Sequence, residues 1–261
     1  MPKYIIRFLI LFVFVSLPVS LFSEDIRIFA GKNAPFNFMY KGKVSGVSVD
    51  ILENIFKQAN LPFDQKAIKL DTWSSVFSQA IVTPNSLLIT ASRIPEREKL
   101  FQWIGPVATV RLSIVAKKGT ASIKNLEDIK SYDVVSIKNT SAERAFVKAG
   151  GDLSTILRVS TPKQGYKMLE YGRIDALICT DLPFIYSMIR EGKNIDDYEI
   201  VYVLSKSKYF IAAHQSIPTK TINILNNELD KLKQKDSSNI SKYNLIMEKY
   251  FKDSILTVKN N

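Results

Sequence analysis

From residue 24 onward, short β-branched apolar runs alternate with segments whose apolar positions recur at helical spacing, the pattern of a mixed α/β chain. Strands are predicted over 26–30, 87–91, 110–116, 134–137, 174–179, 199–204 and 209–213. Between them, 49–60 places Val49, Ile51, Leu52, Ile55, Phe56 and Ala59 on one helical face and ends at Asn60-Leu-Pro. Further helices are predicted over 72–80, from about Ser141, over 163–171 and 182–190, and at the end over 219–235 and 241–251. Ser160 or Thr161 caps the 163–171 helix and Gly172 stops it. No internal repeat, linker or low-complexity stretch interrupts the series.

The first residues follow another pattern. Lys3 and Arg7 precede an apolar run over 8–15, then Pro18 and small residues lead to Ser23, the outline of a secretory signal peptide. The run falls short of the roughly 20 apolar residues of a comfortable membrane span. The expected leader is 1–23, removed after Ser23, with an uncleaved anchor as the other reading because Leu21 is large for its place near the cut. No cysteine lies near the cut, which argues against a lipid-modified amino terminus. What remains is long enough for one large domain or two lobes.

Composition narrows the chemistry. Cys179 is the sole cysteine and His214 the sole histidine, so neither an intramolecular disulfide nor a usual zinc site is expected, nor a cysteine-histidine pair. The formal charge of +11 invites a nucleic-acid reading. The basic residues are however interleaved with Asp and Glu along presumed helices, as in 163–173 and 229–235, the pattern of a solvated face. No nucleic-acid partner and no cofactor are expected.

Specific residues then carry a resemblance. Gly46-Val-Ser-Val-Asp50-Ile-Leu, Ser92-Arg-Ile-Pro-Glu-Arg97-Glu, Trp103-Ile-Gly-Pro, Asn139-Thr-Ser-Ala-Glu143 and Gly172-Arg-Ile-Asp175-Ala resemble, in order and spacing, the landmarks of the bacterial periplasmic solute-binding proteins of family 3. Gly-Arg-Ile-Asp alone would be a weak signal; the series covers nearly the whole exported chain. The resemblance implies a type II fold of two α/β lobes joined by two crossing strands and closing on a ligand. It places the first lobe at 24–112 and 205–261 and the second at 113–204, with crossings near 110–113 and 203–206. It implies a periplasmic monomer that captures a small carboxylate, above all a polar amino acid, for the permease of an ABC importer or another membrane partner.

A carboxylate calls for a planar two-pronged donor, which arginine supplies. From its neighbours alone, Arg97 would be a surface residue pairing with Glu96 or Glu98; the resemblance makes it the carboxylate-binding arginine, with Thr90 and Ser92 offering backbone and hydroxyl groups to the same ligand. Thr140 and Ser141 match a second-lobe turn at a helix start, where free amide groups suit an anion. Phe36 and Trp73 are candidate walls, either of which can instead be plain core, and Trp103 is expected under the Gly105-Pro106 turn. Asp50 and Asp175 are expected to be structural, the first at a helix start beside the cleft.

Two departures concern the ligand. Where the family places an aspartate for the ligand's ammonium group, this chain has Thr180, with Asp181 one residue later, so the turn is shifted or the ammonium site is lost. Arg93 stands where the family carries an apolar residue; turned inward it would favour a ligand with more negative charge, and the other reading is a solvent-facing side chain. Other classes stay open. A sensory module would use the same closure to signal to a membrane partner. A periplasmic enzyme of the cyclohexadienyl dehydratase type would need an acid of raised pKa, for which Asp181 and Glu143 are the candidates. The binding protein, making and breaking no covalent bond, is the expected reading.

Overall fold

The computed structural model describes residues 26–251 and 257–258; the expected leader at 1–23 lies outside them. In chain order the strands are β1 (Arg27–Gly31), β2 (Phe38–Tyr40), β3 (Lys43–Ser45), β4 (Lys69–Asp71), β5 (Ser86–Ser92) and β6 (Phe101–Lys117), then β7 (Val134–Ile137), β8 (Leu157–Val159), β9 (Ala176–Thr180), β10 (Tyr198–His214) and β11 (Thr257–Val258). The helices are α1 (Val47–Gln58), α2 (Trp73–Val82), α3 (Ser141–Lys148), α4 (Pro162–Glu170), α5 (Asp181–Arg190), α6 (Thr219–Lys233) and α7 (Lys242–Phe251).

One sheet runs in the order β4-β1-β5-β10-β6-β9-β7-β8, with β11 paired to β10 and β2-β3 a separate hairpin. β1 is parallel to β4 and β5, and β7 is parallel to β8 and β9. Each parallel set forms one lobe of a type II binding-protein fold. They are joined by β6 and β10, antiparallel strands of 17 residues each that run through both. At their centre Val203 faces Ser113 and Lys206 faces Arg111, while the flanks bond to β5 on one side and β9 on the other.

Both long strands were expected as shorter pieces. Gly105-Pro106 reads as a turn, yet the ladder steps over it: Tyr209 faces Ala108 and Ile211 faces Ile104, so a bulge absorbs the intervening residues. Side chains from the last helices satisfy the displaced backbone. Asn226 Oδ1 accepts from the Gly105 N–H at 3.0 Å, Lys233 Nζ donates to the Pro106 carbonyl at 2.7 Å and the Tyr243 hydroxyl to that of Val107 at 3.1 Å. In β10 the polar run 205–208 looks like a break because it is solvated at the crossing, where only β6 pairs with it.

α1 buries Val47, Val49, Ile51, Leu52, Ile55 and Phe56 against the first lobe, and Asn60, at φ 55°, ends it in a left-handed turn. It begins two residues earlier than its periodicity suggests. Gly46, at φ 138°, brings the backbone so close to Phe36 that an added Cβ would lie 2.1 Å from the Phe36 carbonyl oxygen. That contact lets the Val47 and Ser48 N–H groups donate to Pro35 and Phe36, which fixes the loop that borders the cleft. In the second lobe Thr161 caps α4 by accepting from the Gln164 N–H, Pro162 opens it and Gly172, at φ 64°, follows its end, as the sequence predicts.

Candidate functional site

The carboxyl ends of β1 and β5 in the first lobe and the start of α3 in the second face one another across a 190 Å³ cavity, where ligand sites of open α/β sheets characteristically lie. Trp73, Thr90, Ser92, Arg97 and Ser141 from the sequence analysis line it. So do Lys32, Asn33, Asn37, Arg144 and Tyr209, which the sequence did not single out.

Arg97 sits in a short helical turn that Pro95 opens. Its guanidinium donates to the Ser92 carbonyl at 3.1 Å and lies 5.0 Å from the ring centre of Trp73 and 4.9 Å from that of Phe77, whose rings stack on each other. Trp73 is thus a wall for the arginine first. Among the described residues no carboxylate forms an ion pair with Arg97, and Glu98 is taken by Arg93. Burial lowers the Arg97 pKa, and the positive charge of Arg144 lowers it further. The cleft therefore holds a guanidinium that burial and Arg144 disfavour, an effect that exposed Glu96 only partly offsets.

Thr90 is a β-branched residue at φ 64°, a conformation such residues rarely adopt. A buried network holds it. Its hydroxyl donates to Asn37 Oδ1 at 3.0 Å and shares a 2.7 Å hydrogen bond with Ser48, while Asn37 Nδ2 donates to the Gly31 carbonyl at 3.1 Å. The hydroxyl is therefore engaged with its own lobe, while Thr90 and Ser92 both line the cavity. Tyr209 packs edge-on against Phe36, 5.0 Å between ring centres, and burial raises its phenol pKa while Asn33 hydrogen-bonds to it. Phe36 is fully buried behind Tyr209 and shapes the wall from beneath.

From the second lobe, Thr140 caps α3: its hydroxyl donates to the Ile137 carbonyl at 2.9 Å and accepts from the Glu143 N–H at 3.2 Å. Glu143, buried below the turn, accepts from Ser136, from the Asn139 N–H at 2.8 Å and from Arg158 at two points, 2.7 and 3.0 Å. Arg158, Ser136 and Asn139 outweigh burial and hold the carboxyl at about 2. This braces the turn so that Ser141, half-buried in the first turn of α3, meets the cavity with Arg144 one turn on.

Residues 26–253 match the bacterial extracellular solute-binding proteins, family 3. The chain belongs to that family. Among curated relatives it is 25% identical over 240 residues to the probable amino-acid-binding protein YxeM of Bacillus subtilis, covering 86% of this chain and 83% of the relative. It is also 25% identical over 178 residues to the L-glutamate/L-aspartate-binding protein of Pseudomonas aeruginosa, covering 64% of this chain and 58% of the relative. Solved structures share the fold. They include an ancestral cationic amino acid solute-binding protein (TM-score 0.70, 19% identity, 87% and 95% of the two chains) and the second substrate-binding domain of GlnP from Lactococcus lactis in open conformation (TM-score 0.65, 20% identity, 89% and 98%). A histidine kinase sensor domain has the same fold at TM-score 0.66 and 18% identity, over 89% and 97% of the two chains.

In this solute-binding protein the remaining candidates lie off the cavity. Asp181 opens α5 and is 3% exposed; it accepts from the Arg111 backbone N–H, from Arg111 Nε and from its neighbour Leu182, so its carboxylate already has partners. Thr180 precedes it at the end of β9, facing Leu112 on the crossing strand, and is not part of the lining. Arg93 points away from the cleft, paired with Glu98 and lying 5.7 Å from both the Trp103 and Phe210 rings. The solvent-facing alternative describes it, since Glu98 and the two rings draw it outward.

Two larger cavities carry less chemistry. One of 480 Å³ runs under the edge of β1, lined mainly by Ile26, Ile28, Phe29, Pro62 and Phe63. The other, of 570 Å³, shares Lys32 and Asn33 with the cleft and extends to the start of α4 and the face of α5, an outer continuation of the gap between the lobes. Of the residues missed by sequence, Lys32 and Asn33 were findable as the turn after the first strand, and Arg144 as the residue one turn from Ser141. Asn37 and Tyr209 had no local signal.

Proposed function

We propose that this solute-binding protein captures a small carboxylate, of the amino-acid class its curated relatives are named for, and delivers it as the closed form to an ABC importer. Arg97 and the backbone of 90–92 hold the carboxylate from the first lobe, and the start of α3, with Ser141, arrives from the second. The carrying observation is the Arg97 guanidinium in the cleft, backed by aromatic rings and without an ion-pair partner among the described residues. The first lobe is taken as 24–112 with 205–261 and the second as 113–204, hinged where Arg111 and Lys206 face each other. The protein works as a monomer in the periplasm, exported by the leader at 1–23.

It carries out no reaction. The dehydratase alternative needs an acid of raised pKa reaching the ligand, but Glu143 is held at about 2 and Asp181 lies outside the cavity lining with its carboxylate bonded to Arg111. The test is a thermal-shift screen of purified protein, unfolded and refolded to release any carried ligand, against amino acids and other small acids. A ligand at 100 times its dissociation constant adds about 2.7 kcal/mol of stability. The Arg97→Ala variant is expected to lose about 2 to 5 kcal/mol of affinity for the hit by calorimetry. Parent-like binding by that variant would overturn the clamp.

A further inference from the structure

Among the described residues, every charged side chain that lines the cleft cavity is a cation: Lys32 and Arg97 from the first lobe and Arg144 from the second. The acids near them are bonded elsewhere or lie outside the lining. Asp71, close to Lys32, accepts from the Thr72 N–H and the Ser75 hydroxyl; Glu96, within electrostatic reach of Arg97, is exposed and outside the lining; Asp181 is bonded to Arg111 and Leu182. Arg144 itself is exposed and donates to the Asn139 carbonyl at 3.0 Å, through which it is fixed to the braced turn.

From this arrangement we infer that the ligand is a short dicarboxylate, with one carboxylate on Arg97 and the other on Arg144, and that the site does not read an α-ammonium group. This rests on the carboxylate clamp proposed above and adds the charge that the ligand must carry. A zwitterionic amino acid has no net charge to set against three cations, and its ammonium would enter a wall with no carboxylate. A dicarboxylate offsets two of the three. Charge also couples binding to closure. Arg97 and Arg144 belong to opposite lobes and repel each other, which is why Arg144 contributes to the lowered Arg97 pKa. Closing the empty cleft brings like charges together, whereas a dianion between them turns that cost into two attractions, so closure follows the ligand's charge.

The experiment is calorimetric titration of purified, refolded protein with glutamate, glutamine, glutarate and arginine, repeated on Arg144→Gln and Arg97→Gln. Glutarate is expected to bind at least as tightly as glutamate, whose ammonium meets no carboxylate in the lining, with glutamine at least about thirtyfold weaker than glutamate and arginine not binding at all. Arg144→Gln is expected to weaken both dicarboxylates at least about tenfold and to shrink the glutamate-to-glutamine ratio. Glutamine or arginine binding as tightly as glutarate would overturn the inference, as would glutamate binding more than about tenfold tighter than glutarate, an unchanged ratio in Arg144→Gln, or no binding by either dicarboxylate. The two readings fail differently. Glutamine binding that depends on Arg97 but not on Arg144 leaves the clamp standing and removes the dicarboxylate, whereas glutamate binding indifferent to Arg97→Gln removes the clamp.

Discussion

Arg111 holds Asp181 at two points: its Nε donates to one carboxylate oxygen at 2.7 Å and its backbone N–H to the other at 2.9 Å. Arg111 lies at the centre of crossing strand β6 and Asp181 opens α5, so the pair fastens α5 to the strand that runs through both lobes. A third bond, from the Leu182 N–H, places the carboxylate in the first turn of the helix, where the helix dipole favours it. The aspartate nearest the family's ammonium position is thus tied to the crossing strand.

The first prediction follows from that pairing. Asp181→Ala removes one member of a pair whose carboxylate is 4% exposed and whose guanidinium is 20% exposed. The expected loss is about 3 to 5 kcal/mol of unfolding free energy, read from urea denaturation. An ammonium-binding aspartate would behave otherwise, with stability kept and amino-acid affinity lost. Unchanged stability in this variant would mean that the pair does not fasten α5 to the crossing strand.

The second prediction concerns pH. Glu143 has a folded-state value of about 2 against an ordinary 4.5, lowered first by Arg158 and then by Ser136 and Asn139. Because the folded value is the lower one, its contribution is fully present above 4.5 and is lost as pH falls from there through about 2. Glu143→Gln should therefore be less stable than the parent by about 1.5 to 3 kcal/mol at pH 7, with the gap closing as the pH approaches 2. Comparing the two proteins cancels the other carboxylates. A gap that stays constant across this range would show that the ionised form is not what braces the turn.

Much of the fold was legible because its elements announce themselves locally. The 49–60 periodicity, the Thr161 cap and the Gly172 stop each depend on a few neighbouring residues, and each predicted helix is present with its ends shifted by a residue or two. What escaped is long-range. The short edge strands β4 and β8 have only three residues each and exist through their partners, and the β2-β3 hairpin turns on Lys41 and Gly42 at φ 47° and 76°, where Lys-Gly is a faint signal. The site divides the same way. Arg97, Ser92 and Ser141 sit on motif landmarks, Thr90 lies just before one and Trp73 opens a predicted helix, whereas Asn37 and Tyr209 reach the cleft through the Thr90 network and the register of β10, which no local pattern encodes.

The last prediction tests how the lobes meet outside the hinge. Phe38 of the first-lobe hairpin lies 5.7 Å from Tyr186 on α5 of the second lobe, and Tyr250 on α7 lies 6.4 Å from each. Tyr250 is itself held by Asp50, whose carboxylate accepts from its hydroxyl at 2.9 Å and from Lys249 at 2.7 Å; the helix-start aspartate thus anchors α7 to α1. An aromatic pair of this kind contributes about 0.5 to 1.5 kcal/mol beyond the area it buries. Because Phe38 and Tyr186 make no side-chain hydrogen bond to each other, the pair Phe38→Ala and Tyr186→Ala gives a clean double-mutant cycle by urea denaturation. A coupling in that range is expected. If the two losses simply add, the hairpin and α5 do not touch in solution, and the lobes are joined by β6, β10 and the Arg111 to Asp181 pair without this aromatic contact.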